Sequence, residues 1–117
     1  MDVRVKHIIE VFSAELQHDL SEEAVSKRVN LSAARLRQLF KKDTGLSPMK
    51  YLKRLRMIRA AKLLRSSFLS IKEIASRTGS GDTSHFVRDF RKEYGLRPTE
   101  FRVRSQRSRK SVKLARG

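Results

Sequence analysis

The chain contains no cysteine. Disulfides, thiolate zinc sites and cysteine nucleophiles are therefore excluded, and the composition fits a reducing cytoplasm. Tryptophan is absent too, and aromatics make up only 7% of the 117 residues. No apolar run approaches the roughly 20 residues of a membrane-spanning helix, so no membrane-spanning role is expected. The first residues, MDVRVKHIIEVFSAEL, carry acids and lack an uninterrupted apolar stretch, so they do not read as a signal peptide. At this length the chain fits one compact unit, or two very small ones sharing an element.

Acids are scarce in most of the chain, and that scarcity has a direction. The formal net charge is +16. Residues 1–23 hold two basic and six acidic side chains, a net of −4, while residues 24–117 hold 26 basic and six acidic, a net of +20. A polyanionic partner is expected, either nucleic acid or an anionic membrane surface. Solubility alone needs neither this magnitude nor this asymmetry.

The apolar pattern predicts helices only. Val5, Ile8, Ile9, Phe12 and Leu16 recur at i, i+3, i+4 spacing, which predicts an amphipathic helix over about 3–18. Ser21 is placed to cap a short helix reaching about Val29, with Glu22 and Glu23 where the dipole favours acids. Ser32 caps the next, which turns Leu36, Leu39 and Phe40 inward and stops at Gly45. Ser47-Pro48 restarts a helix that runs through Leu64. Ser70 and Glu73 have capping-box spacing. Asp82 or Thr83 caps a helix with Phe86, Val87 and Phe90 inward, ending at Gly95. Arg97-Pro98-Thr99 opens a last helix. From Arg102 the chain has seven basic residues and no acids, which predicts a frayed helix end and then disorder.

An internal repeat sets the architecture. LFKKDTGLSPMKY (39–51) aligns with DFRKEYGLRPTEF (89–101) at an offset of 50, pairing Phe40 with Phe90, Gly45 with Gly95 and Tyr51 with Phe101. Upstream, Leu20-Ser21 meets Leu69-Ser70 and Val25 meets Ile74 at an offset of 49, so the second copy has one extra residue in its turn. Each copy reads as a short capped helix, a tight turn, a second helix and a Gly stop. That is the shape of a helix-turn-helix, whose second helix is free to enter a major groove.

At 100° per residue, the second helix of each copy has a well-defined outward face. Ala34, Arg37, Gln38 and Lys41 point away from the core, flanked by Arg35 and Lys42. In the second copy Ser84, Arg88 and Arg91 point away, flanked by His85 and Lys92. Arg suits guanine, Gln suits adenine, and small side chains allow close approach or contact with a thymine methyl. Ser32, Ser84 and the helix N-termini are suited to phosphates. The linking helix places Leu52, Leu55 and Leu63 on one side and Met57, Ala61 and Leu64 on the other, as expected of a helix touched by two subdomains. Its span of roughly 27 Å, with the lateral offset of each recognition helix, suits adjacent major-groove segments about 34 Å apart.

With these motifs in place, the chain resembles the DNA-binding domain of the AraC/XylS family of bacterial transcription regulators over residues about 3–105. The family's second motif, I-A-x-x-x-G-[FY]-x-x-x-S-x-F-x-R-x-F-[KR]-[KR]-x-x-G-x-x-P, is similar to IASRTGSGDTSHFVRDFRKEYGLRP here. The first half is similar in LFKKDTGLSPMKYLKRLRMIRAAKLL, including Arg56, Ala60, Leu63 and Leu64. The resemblance implies seven helices, two helix-turn-helix subdomains and binding to one DNA face. It carries the recognition role onto Ala34, Arg37, Gln38, Thr83, Ser84, His85 and Arg88. Many relatives carry a sensing domain, so the resemblance also implies a stand-alone binder or the C-terminal part of a longer chain. Three departures stand out. Ser80 sits where the family has Phe or Tyr, Ser26 where it has Ala, and Arg97 where it has a capping Ser. The loss at Ser80 predicts a looser second subdomain.

The domain organisation expected is a first helix-turn-helix subdomain over 1–46, a linking helix over 47–66, a second subdomain over 67–105 and a basic disordered tail over 106–117. The recognition helices are expected at about 32–43 and 83–93. The function expected is sequence-specific double-stranded DNA binding in transcription regulation, in the cytoplasm at the nucleoid. The acidic first helix is expected to face away from DNA, free to meet a further domain or RNA polymerase. The histidines His7, His18 and His85 are scattered and no phosphate-loop motif occurs, so no catalysis, metal or cofactor is expected. The alternative is a nonspecific basic nucleic-acid-binding protein whose affinity lies in residues 102–117.

Overall fold

The computed structural model describes the backbone of residues 1–116 and the side chains of residues 1–107. Among these, seven helices follow one another and no strand occurs. They are α1 (Val3–Ala14), α2 (Glu22–Arg28), α3 (Ala33–Thr44), α4 (Pro48–Ser66), α5 (Ile71–Arg77), α6 (Thr83–Tyr94) and α7 (Pro98–Arg116). The chain divides into two compact units, Met1–Arg56 and Met57–Gly117. The division falls inside α4, so the long helix contributes residues to both units.

In the first unit α1 and α2 pack against α3. Val5, Ile8 and Phe12 of α1, Val25 of α2, Leu36 and Phe40 of α3 and Leu52 of α4 are buried together. Each such side chain contributes about 1.5–3 kcal/mol when fully buried. Phe40 lies 6.1 Å from Phe12 and meets Tyr51 edge-on at 5.3 Å and 76°. The second unit repeats this arrangement. Met57, Ala60, Ala61 and Leu64 of α4 join Ile74, Ala75, Phe86 and Phe90. Phe90 meets Phe101 edge-on at 5.3 Å and 80°. The repeat pairs Tyr51 with Phe101, so the same ring geometry recurs at matching positions.

Leu63 packs with the second core, not with Leu52 and Leu55 of the first. Angular position alone places these three on one side of the helix. Position along the helix also decides: Leu63 lies some 12 Å beyond Leu55 at about 1.5 Å per residue.

The caps follow the sequence closely. The Ser21, Ser32 and Ser70 hydroxyls accept from the backbone N–H groups of Ala24, Arg35 and Glu73. Asp82, not Thr83, caps α6 and accepts from Ser84 and His85. Gly45 and Gly95 end α3 and α6 with φ of 80° and 76°, a left-handed conformation that glycine adopts without a Cβ clash. The inter-helix turns match too. Asn30 (φ 55°) and Gly79 (φ 86°) take the left-handed position, and the next N–H, of Leu31 or Ser80, donates back to Ser26 or Ala75.

Three differences from expectation have physical causes. The first helix stops at Ala14 rather than near residue 18. Beyond it the Arg56 side chain takes the carbonyls of Leu16 and His18, at 3.1 and 2.9 Å, so those groups need no helical amide. At the other end, α7 continues to Arg116 across the segment read as a disordered tail. Its sequence has no Gly or Pro from Thr99 to Arg116 and is rich in Arg and Lys, which favour helix. The side chains of 108–117, and with them most of that tail's expected contribution, lie outside the described residues. Third, Arg102 is not a free tail cation. Its Nε and Nη2 donate to the carbonyls of Leu64 and Ser67 at 3.2 and 3.4 Å, closing the end of α4.

Ser26 is buried and its hydroxyl donates to Glu23 O at 2.9 Å, which satisfies it where the family has Ala. Ser80 is half-buried, and its hydroxyl donates to Asp82 O at 3.0 Å. No helix among the described residues is long and apolar enough to cross a membrane.

Candidate nucleic-acid interface

In the first unit α3 stands behind a tight turn with Leu36 and Phe40 buried beneath it. Burying those two side chains fixes which face remains outward. Ala34, Arg35, Arg37, Gln38, Lys41 and Lys42 are all exposed, as is the capping Ser32. Two of these side chains are tethered. Arg35 Nη1 donates to Gln38 Oε1 at 3.3 Å, which holds the amide with its Nε2 donors unspent. Arg37 Nη1 donates to the Glu22 carboxylate of α2.

In the second unit α6 presents Ser84, His85, Arg88, Arg91 and Lys92, all exposed. Thr83 is half-buried at the first helical position. Arg88 Nη2 lies 3.3 Å from His85 Nδ1. The other ring nitrogen lies 3.8 Å from the Asp89 carboxylate, a charge pair only when the imidazole is protonated. The Asp82 carboxylate is committed to the N–H groups of Ser84 and His85, the second and third residues of the helix.

Each expected recognition face is thus assembled within its own unit. Arg, amide and small side chains sit on one exposed side, anchored by buried aromatic or aliphatic residues on the other. An Arg fork matches guanine O6/N7, and an amide matches adenine N6/N7. Among the described residues no group of three or more His, Asp or Glu is placed to hold a metal.

Sequence reasoning missed the tethers. Periodicity places a side chain on a face and says nothing about its neighbour on another helix. By position alone Glu22 is only a first-turn acid of α2. A signal for it does exist in the repeat: the copies place Glu22 opposite Ile71 and Arg37 opposite Val87, two charges where the other copy has two apolar residues. Glu15, beyond the end of the acidic first helix, is paired with Arg28 at 2.7 Å. Hydrogen bonding from Arg28 holds the Glu15 carboxyl below its ordinary value.

A family described as "helix-turn-helix domain" matches residues 25–104. The HTH-type transcriptional activator RhaS of Escherichia fergusonii is 40% identical over 101 residues, covering 86% of this chain and 36% of the relative. The chain therefore spans about a third of the length of that curated relative. The C-terminal domain of AraT, a response regulator from Geobacillus stearothermophilus, superposes with a TM-score of 0.84 at 31% identity, covering 86% of this chain and 84% of that one. The DNA-binding domain of AdpA, solved in complex with a target DNA, superposes at 0.88 with 23% identity, covering 92% and 97%, and shows the shared fold.

Proposed function

The chain belongs to the AraC-type helix-turn-helix family, and from that premise we propose that it regulates transcription by sequence-specific binding to double-stranded DNA. In this reading α3 and α6 each enter a major-groove segment of the same duplex. Gln38, Ala34 and Arg37 on α3, and Arg88, Ser84 and His85 on α6, read base edges. Ser32, Arg35, Lys41, Thr83 and Arg91 contact the phosphate backbone, which sets register and carries no sequence information. In this reading the protein binds without a catalytic step and works in the cytoplasm at the nucleoid, which its similarity to a bacterial transcriptional activator supports.

The observation that supports this reading most is the duplication. Both units present an exposed recognition helix carrying Arg with amide or hydroxyl side chains behind a capped turn. A protein that only neutralised phosphate would need none of that placement. On α1, exposed Glu10 offers a contact to RNA polymerase or to a further domain. Glu10→Lys is then expected to leave DNA affinity unchanged while altering activation.

The test is selection of bound duplexes from a random pool at two salt concentrations. A consensus of two boxes, kept at both, is the expected result. A pool that remains unselected, with affinity falling steeply in salt, would instead favour nonspecific nucleic-acid binding.

A further inference from the structure

We propose that Glu22, on the first helix of the first helix-turn-helix, is a specificity-determining positioning residue that aims Arg37 at a base. The proposal rests on the DNA-reading role of α3 given above. Arg37 Nη1 donates to Glu22 Oε1 across the α2–α3 hairpin. Glu22 is the more enclosed partner, with 22% of its side chain exposed against 51% for Arg37. The carboxylate is therefore the fixed anchor and the guanidinium the outward group.

The guanidinium is a planar fork of five N–H donors. Holding Nη1 leaves the Nε and Nη2 edge with two parallel donors, the pair that matches guanine O6 and N7. A free Arg side chain loses rotamer entropy when it docks on a base; an anchored one has lost part of it already.

The second unit gives the comparison. At the repeat positions of Glu22 and Arg37 stand Ile71 and Val87, both partly buried against the second core. Apolar packing is thus sufficient to join these two helices. An exposed ion pair contributes little stability on its own, so joining helices is a poor account of why the first unit has charges there. What Ile and Val lack is a donor fork at the groove. In the second unit the corresponding outward Arg is Arg88, one position further along, and it is steadied by His85 of its own helix.

The experiment compares the selected consensus duplex with duplexes altered one base at a time, for the native chain, Glu22→Gln, Arg37→Ala and the double variant. Glu22→Gln keeps a side-chain acceptor of the same shape and removes the charge that anchors the fork. Its preference at one base position should fall about fivefold or more, and that position should be the one Arg37→Ala affects. Affinity for unrelated DNA should stay level or rise, since an acid has been removed. In the double variant the Glu22 change should add nothing to the loss. Retained preference in Glu22→Gln, at every base, would overturn the proposal, as would a rise in consensus affinity with preference intact, which marks Glu22 as a competitor of DNA. A thermal midpoint lowered without any change in preference would also overturn it, marking a purely structural tie. If the native chain itself selects no consensus, it is the DNA-reading role that fails.

Discussion

Arg56 Nε donates to the backbone carbonyl of Leu16 at 3.1 Å, from α4 back to the chain leaving α1. The guanidinium is half-buried, and burial pulls it below its ordinary value, against the opposing pull of Asp19. The ordinary value is so high that the group stays charged. Arg56→Ala removes donors from the Leu16 and His18 carbonyls, and should lower stability by about 1–3 kcal/mol. Arg56→Lys should recover only part, because an ammonium does not span both oxygens as a fork does. Denaturant unfolding of the three proteins checks this. Arg102 makes the same kind of closure in the second unit.

Gly45 and Gly95 have positive φ, and an added Cβ at either would meet nothing within 4 Å. The demand for glycine is therefore conformational and not steric crowding by neighbours. Gly45→Ala and Gly95→Ala should each cost about 1–2 kcal/mol, and Gly45→Asn less. Chemical denaturation measures both. A loss well above that range would mean that the helix ends had shifted.

Asp2 caps α1 and its carboxyl is lowered from 3.8 to about 2, first by the hydrogen bond from the Arg4 side chain and then by the Arg4 backbone N–H. A folded-state value below the unfolded one means stability present above about pH 4 and lost as pH falls toward 2. Asp2→Asn keeps a capping oxygen and removes the titration. Its thermal midpoint should therefore fall less steeply than the native one between pH 4 and pH 2. Parallel slopes would assign the acid sensitivity to other carboxylates, such as Glu15.

Gln38 and Arg88 occupy matching repeat positions, exposed on α3 and α6. Gln38→Ala and Arg88→Ala should each relax preference at one base position by about 1–3 kcal/mol. Lys41→Ala and Arg91→Ala should instead weaken all duplexes alike and reduce the salt slope. Competition binding at two salt concentrations separates the two patterns.

The second unit should exchange its amide hydrogens faster. Three of its eight buried core residues are alanines, Ala60, Ala61 and Ala75, and Ser80 supplies no ring. The hydrophobic cluster of the first unit is built from Val, Ile, Phe and Leu with no alanine, so it removes more apolar area from water. Equal protection of α3 and α6 amides in hydrogen exchange would refute this.

The helices, their caps and the repeat were legible in the sequence because each depends on short-range chemistry. A serine or aspartate before a periodic run caps it, a glycine after one ends it, and an apolar residue every third or fourth position chooses a face. The family signature rests on those same positions. Thr83 was the exception among the caps, since Asp82 and Thr83 are both competent and only the backbone at Asp82 shows which one turns its side chain inward.

The sequence by itself therefore determined seven helices, two helix-turn-helix units and the exposed faces of α3 and α6. Tertiary structure decided where the charged side chains find partners. Arg56, Arg102, Arg28 and Arg37 all looked alike as contributions to a net charge of +16. Two of them close helix ends, one holds Glu15 and one is anchored to Glu22. An arginine side chain is long and flexible, and its partner lies 13 to 40 residues away in sequence. Periodicity within one helix carries no information about such a distance, and only the packing of one helix on another brings the two groups together.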